Sequence, residues 1–551
     1  MRIYRLLAAA SRRSHLREAG HPRLPARSLH HTPLEEQDGS ALHMGVDLRH
    51  VSGVLGHAHS SADTHDVAGD GRWFANAPLS LPCQHAPPTR GIKFLPVFLG
   101  ALSLAACTTM PLEEPTARAS TSTIDLPATQ TLAMPFAAVP SSRLGTNSEL
   151  ARDFTELSFN LESGRTLPWF SRFEGPIKIS MKGAAPAGAA QEMQSLVSRL
   201  RNEAGIDITA VNGANADPNN AIFIEFVPKR AMNAAVPNAA CFVVPNVVSW
   251  EDYKDNRRGD KVDWAGIRQR THATVFIPAE AAPQELRDCL HEETAQGLGP
   301  LNDLFRLPDT VFNDDNFHTV LTRFDMMILK ATYAPELRSG MSQPEVFHAL
   351  ASALPRLNPA GGAVGRAADV GATPKGFVAA LQRAIGAGSL GSRKAGAREA
   401  IAIAASQGWN DTRMAFAWFA LGRLSVNDEP AIAVQAFTRA SAIYRQIPGA
   451  GIQAAHVDMQ LAAFALSTGQ AQDSIALVNH ALDAALKGQN AALMATLYLI
   501  RAEAYAQLGQ ELQAQQARLD SENWARYGFG SDAAMRQRAA EVASLARQGR
   551  G

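Results

Sequence analysis

Residues 289–303 read Cys289-Leu290-His291-Glu292-Glu293-Thr294-Ala295-Gln296-Gly297-Leu298-Gly299-Pro300-Leu301-Asn302-Asp303, and the rest of the chain is read from this stretch. Pro283 precedes a run of good helix formers, and Gly299-Pro300 stops it, so a helix is expected over 283–297. A helical His-Glu-x-x-His would set two imidazoles one turn apart to hold zinc. Here the second histidine would be residue 295, which is alanine, so that register fails. His291 then points about 100° around the helix from residue 292. It is expected as a surface or interface histidine.

Outward from this helix the patterns alternate. Short runs at 177–181, 206–211, 221–227, 241–244 and 274–277 are rich in Ile, Val and Phe and read as strands. Residues 191–202 place Met193, Leu196, Val197 and Leu200 on one helical face. Further helices are expected over 317–332 and 343–354. Together, 150–355 is expected to be an α+β domain with a small mixed sheet.

Shifting the frame of the central helix by one gives Glu292-Glu293-x-x-Gln296-x-x-Gly299-x-x-Asn302. This has the spacing of the metzincin motif HExxHxxGxxH, with Glu293 at the general-base position and Gly299 at the turn. Glu292, Gln296 and Asn302 stand where three histidine ligands would be, and Phe312 stands near the place of the Met-turn methionine. Cys289-Leu290, Glu292-Glu293, Gln296, Leu298-Gly299 and Asn302-Asp303 form one block of a longer pattern. Val311-Phe312-Asn313-Asp314-Asp315, Asp325, Thr332-Tyr333-Ala334-Pro335 and Gly340-Met341-Ser342 complete it. Over roughly 160–345 this resembles the bacterial domain-of-unknown-function family 2927, with Pro300 where that family usually has leucine. The resemblance implies a zincin-like fold with replaced metal ligands, and it brings no established activity.

Neutral amides at 296 and 302 are weak zinc ligands, leaving Glu292 as the one strong donor. Oxygen donors of this kind would suit a hard cation such as calcium better. The expectation is no metal and no cofactor. Glu292, Glu293, Gln296, Asn302 and Asp303, supported by Asn313, Asp314 and Asp315, are then either a hydrogen-bonded network or the lining of a cleft that holds a peptide or glycan strand. The alternative is a hydrolase or peptidase using Glu293 as general base, with Glu292 as its neighbour. Two carboxylates can also cleave glycosides across a cleft, but neighbours on one helix point apart.

A Gly-, Ala- and Pro-rich linker over 356–374 precedes an alanine-rich helical region, 375–551. Gly422, Ala462 and Ala502 recur every forty residues, Gly469 and Gly509 mark turns, and Ala433, Ser474 and Ala514 open the following helices. Trp418, Leu421, Gly422, Ala433, Phe437 and Ala440 resemble the tetratricopeptide consensus, though the period exceeds the usual ~34 residues. An all-α tetratricopeptide-like solenoid follows, whose concave face would bind an envelope protein or peptide. Gly386-x-Gly388-x-x-Gly391 lacks the preceding strand of a dinucleotide site and is an interhelical loop.

Toward the N-terminus, Arg90 and Lys93 precede an apolar run over 94–106 that ends in Cys107. Leu104-Ala105-Ala106-Cys107 resembles the lipobox of bacterial lipoproteins, so 91–107 is expected to be a signal peptide with Cys107 acylated. Thr108 in place of aspartate favours the inner leaflet of the outer membrane, facing the periplasm. Residues 1–90 hold ten of the sixteen histidines and read as a mis-called or disordered extension, and 108–149 as a flexible tether. Cys241 and Cys289 are the only cysteines beyond the anchor and would pair in an oxidising periplasm. The chain carries 52 basic and 52 acidic residues, which gives no electrostatic case for nucleic acid.

Overall fold

The apolar runs form one sheet, and its strand order follows from how completely each is buried. A computed structural model describes residues 144–548 apart from 213–216, 237–238, 314 and 316. The proposed acyl anchor Cys107 and its apolar run lie outside the described residues, as does Asp314. Strands β1 (Ile177–Gly183), β2 (Ile208–Ala210), β3 (Ala221–Val227), β4 (Phe242–Pro245) and β5 (His272–Pro278) assemble in the order β2-β1-β3-β5-β4. The β1–β2, β1–β3 and β3–β5 pairs are parallel, and β4 closes one edge antiparallel to β5. Central β3 is buried along nearly its whole length, as a parallel strand covered on both faces must be.

Alternation along β5 separates the two faces. Val275 and Ile277 join the main core with α1 (Asn147–Ser158), through Phe154 and Leu157, and with α2 (Ala189–Glu203), through Leu196 and Leu200. Phe276 points to the opposite face, into a smaller cluster with Met232 of α3 (Lys229–Ala235) and Trp250 of α4 (Trp250–Asn256). Phe242, Trp250 and Tyr253 surround the Phe276 ring at 5.2–5.4 Å. Helix α5 (Pro283–Leu298) packs against β4, β5 and α2. Helices α6 (Arg323–Thr332) and α7 (Gln343–Leu357) complete this half.

The expected helix over 317–332 forms only from Arg323. Thr322 and Asp325 make a reciprocal capping box there, which fixes the start. Residues 317–322 are drawn out of helical geometry because Phe317 and Thr319 are anchored elsewhere, as described below.

Beyond 374 the chain is helical throughout: α8 (Lys375–Ile385), α9 (Leu390–Ser406), α10 (Thr412–Ser425), α11 (Pro430–Tyr444), α12 (Gly451–Ser467), α13 (Ala471–Lys487), α14 (Ala491–Gln507), α15 (Glu511–Phe529) and α16 (Asp532–Gln548). The forty-residue phase has a packing cause. A Cβ on Gly422 would lie 2.7 Å from the Phe437 ring, so α10 and α11 meet closer than any side chain there allows. Ala433, Ala462, Ser474, Ala502 and Ala514 are all fully buried at the corresponding contacts. Ser474 hydroxyl donates to the Ala462 carbonyl at 2.9 Å, so its buried oxygen is satisfied within the seam. Among the described residues no helix is long and apolar enough to cross a membrane.

The two halves share a core. Phe305 lies in the segment between α5 and α6 but packs on Phe377 and Phe416, with ring centroids 6.2 and 5.9 Å apart. Phe317 meets Phe416, Phe419 and His456, the closest centroid distance being 4.6 Å. Both phenylalanines belong to the hydrophobic cluster of the helical half. Polar contacts follow the same line: Gln453 Nε2 donates to the Pro308 carbonyl at 2.6 Å and to Asp315 Oδ2 at 3.2 Å. Thr319 Oγ1 donates to the Gly488 carbonyl, and Gln284 of α5 exchanges two hydrogen bonds with Asn490 and the Ala492 amide.

Candidate functional site

Helix α5 carries the motif, and its burial sets the chemistry. Pro283 occupies the first turn, where its missing N–H costs nothing. The Cys241–Cys289 disulfide, with Cα atoms 5.9 Å apart, ties the approach to edge strand β4 to α5 one turn before Glu293. It holds Val243 of β4 beside the Glu293 carboxyl, which the Val243 N–H reaches. Burial pushes the Glu293 carboxyl well above the usual carboxylate range, and the negative charges of Glu292 and Glu162 push it further. The Val243 N–H opposes this only in part. Glu293 therefore keeps its proton to higher pH than an ordinary carboxyl. Glu292, on the next helical position, is half-buried and also raises Asp288 one turn back, for which burial is the largest cause.

The three positions matching the metzincin ligands do not converge as donors. Glu292 and Gln296 are one turn apart on the same face, and Gln296 is buried. Asn302 turns its amide away: Nδ2 donates to the Glu156 carbonyl at 3.1 Å, closing the C-terminal turn of α1. Leu301 N–H donates to the Leu157 carbonyl at 2.9 Å, and Arg306 bridges Asp153 and Glu156 at 2.7 Å each. The chain after the motif is thus docked on α1. A tetrahedral zinc needs three firm donors among imidazole, thiolate and carboxylate, and Glu292, Gln296 and Asn302 do not fit it. Among the described residues no group of three or more His, Cys, Asp or Glu side chains is placed to hold a metal.

The supporting residues build the loop that follows. Leu304 N–H donates to the Phe312 carbonyl at 2.9 Å, and Phe312 is fully buried. Asn313 Nδ2 donates to the Leu307 carbonyl, while its Oδ1 accepts from the Asp315 amide at 3.2 Å. Asp315 accepts from the Phe317 amide and from Gln453, so it joins loop to helical half. Asp325 gathers Thr310 Oγ1 and the amides of Val311 and Thr322. Asp303 lies half-buried at the start of this loop.

His291 is a correction. It is buried, with 4 % exposure, and not on the surface. Its Nδ1 accepts the Leu321 amide at 3.1 Å, and burial, aided by Arg199 and Arg287, holds its pKa well below the ordinary value. The ring is neutral and structural. The reason is that α5 is covered on nearly every side, so the face about 100° around from Glu292 meets protein too.

Sequence reasoning missed what closes the helix. Arg270 is fully enclosed, and its guanidinium donates to the carbonyls of Gln296 and Gly297 at 2.7 Å and to that of Gly299. Tyr333 Oη donates to the Leu298 carbonyl at 3.0 Å. The carbonyls that a helix leaves unpaired at its C-terminus are here met by imported donors. Burial lowers the Arg270 pKa to about 10, which leaves it charged at neutral pH and suited to the negative end of the helix dipole. No local pattern marks an isolated arginine for this task. Glu162, from the turn closed by the Asn160–Thr166 bridge, was likewise unforeseen beside Glu293.

Residues 147–352 match the family model described as protein of unknown function (DUF2927). No curated protein and no solved structure matches the chain.

Proposed function

We propose, taking residues 147–352 as a domain of that family, that the protein is a periplasmic lipoprotein that binds an extended chain without cutting it. It would be anchored through Cys107 at the inner leaflet of the outer membrane. Its first domain would be a zincin-like domain that has lost its metal, and its helical half tetratricopeptide-like. The carrying observation is Glu293: a buried carboxyl favouring its proton, set against the antiparallel edge strand β4, with amides where imidazoles would be needed. A protonated acid is a hydrogen-bond donor and a poor general base.

The zincin-like reading is supported by the motif spacing on α5 and by the mixed sheet with β4 at its edge. An edge strand offers backbone groups with which an extended peptide can pair. The tetratricopeptide-like reading is supported by the forty-residue phase and the small residues at each closest helix contact. Phe305, Phe317, Thr319 and Asp315 already engage α10, α12 and the turn before α14. The helical half therefore braces the loop after the site, and an envelope partner would bind its remaining faces.

One observation favours the second reading, a hydrolase: a raised carboxyl pKa is what a general acid requires. A single comparison separates the two. Purified protein is analysed for metal, then incubated with labelled envelope peptides and glycan strands, as wild type and as Glu293→Gln. Binding by both proteins, with no stoichiometric zinc and no products, is the expected result. Turnover by wild type that Glu293→Gln abolishes would establish the hydrolase instead.

A further inference from the structure

The segment Gly340-Met341-Ser342 belongs to the family pattern but takes no part in the Glu293 site. It borders a cavity of about 290 Å³ whose wall includes Arg268, Gln269, Arg338, Ser339, Gly340 and Glu345. The loop is rigidly hung: Gly340 N–H donates to the Phe170 carbonyl at 2.8 Å, and Phe170 N–H to the Met341 carbonyl at 2.9 Å. Arg338 N–H donates to Met341 Sδ at 3.2 Å, so its backbone is held at the cavity wall, where its charge also acts on Glu345.

Two arginines face one cavity here, and among the described residues neither forms a salt bridge or a side-chain hydrogen bond. Most other arginines of this half are committed, as Arg172 is to Glu174 and to the carbonyls of Thr332 and Ala334. Arg268 is not a loose surface side chain, because its guanidinium lies 4.1 Å over the Trp169 ring. Such stacking fixes the plane of the fork and leaves its N–H edges available. Gly340 presents no side chain toward it; a Cβ there would come within 3.8 Å of Arg268 Nε and Nη2.

Charge counting selects the ligand. Two guanidinium groups face one carboxylate, Glu345, and that carboxylate is partly occupied by capping Ser342 through Oε2. The surplus is a single positive charge, which matches a monoanion better than a phosphate dianion. A planar carboxylate also suits bidentate pairing with a guanidinium. We propose that this cavity binds the carboxylate of a small ligand such as a peptide C-terminus, held by Arg268 and Arg338. The assignment does not rest on the Glu293 reading, since no residue is shared.

Ligand-observed saturation-transfer NMR on the purified full chain tests it, with N-acetyl-alanyl-alanine as free acid and as C-terminal amide. The free acid should bind, and the amide should bind at least about tenfold more weakly. Arg268→Ala and Arg338→Ala should each weaken the free acid by about tenfold, and both residues are exposed enough that folding should survive. Glu345→Gln, which keeps a capping side chain, should tighten it. Equal binding of acid and amide, unchanged binding in both arginine variants, inorganic phosphate binding more tightly than the peptide, or no binding of the free acid would each overturn the proposal.

Discussion

Two kinds of helix ending coexist in this chain. In the helical half, α12 and α14 stop at Gly469 and Gly509, which take φ of +77° and +72° and let the next residue's amide turn back onto the helix. These turns are made by residues within a few positions of each ending, and the Leu466 carbonyl of α12 also accepts from Gln507 Nε2 of the neighbouring repeat at 3.0 Å. At the site, α5 ends at Gly299 without a left-handed turn, and its carbonyls are closed by Arg270 and Tyr333. That ending depends on parts of the chain about thirty residues away on either side. A repeat can be copied because each unit makes its own left-handed turn and leans only on its neighbour, whereas the site helix is held in place by the domain around it.

The largest test of this contrast is Arg270→Ala. It leaves several buried carbonyls without donors, and a loss of about 4 kcal/mol is expected in urea unfolding, with Arg270→Lys recovering only part. A loss under 1 kcal/mol would mean that water or relaxation replaces the arginine. Phe317→Ala should cost about 3 kcal/mol. If the halves share a core, unfolding should then split into two transitions, visible as a lower denaturant slope by fluorescence than by circular dichroism.

Glu293→Gln is expected to stabilise the protein at neutral pH, by on the order of 1 kcal/mol. The sign follows from the raised folded-state pKa. Between the unfolded value near 4.5 and the folded one, the native state holds the extra proton, so wild-type stability falls as pH rises through that window. In Glu293→Gln this part of the fall should vanish, and a pH series of melting temperatures reads it directly. The smallest change is Gly509→Ala, expected to cost about 1 kcal/mol because only the local left-handed turn is strained.

The same contrast explains what could be read in advance. Strands at 177, 221 and 274 and the helix from 283 rest on apolar period and on proline and glycine punctuation, which are local signals. The pairing of Cys241 with Cys289 needed only the scarcity of cysteine. The forty-residue phase was visible because close helix contacts admit only small side chains. Residues 317–322 read as helix because Phe317, Val320 and Leu321 have helical spacing. Their anchoring to Phe416, Phe419 and Gly488 carries no trace in the local sequence. The burial of His291 escapes the sequence for a related reason, since the periodicity of one helix cannot tell that a second layer covers the other face. At the candidate site, Glu292, Glu293 and Gln296 share α5 as their spacing requires, but the role of Asn302 depends on α1, which begins at Asn147.

The placement of Phe305 and Phe317 has a consequence for how the molecule is made. Synthesis proceeds from the N-terminus, so both aromatic rings emerge well before Phe377, Phe416 and His456, the groups that shelter them. Until the later helices arrive, the nascent segment presents two greasy side chains with nothing to cover them, a natural handle for a holding chaperone. Maturation of the first half must wait for the last third of the polypeptide.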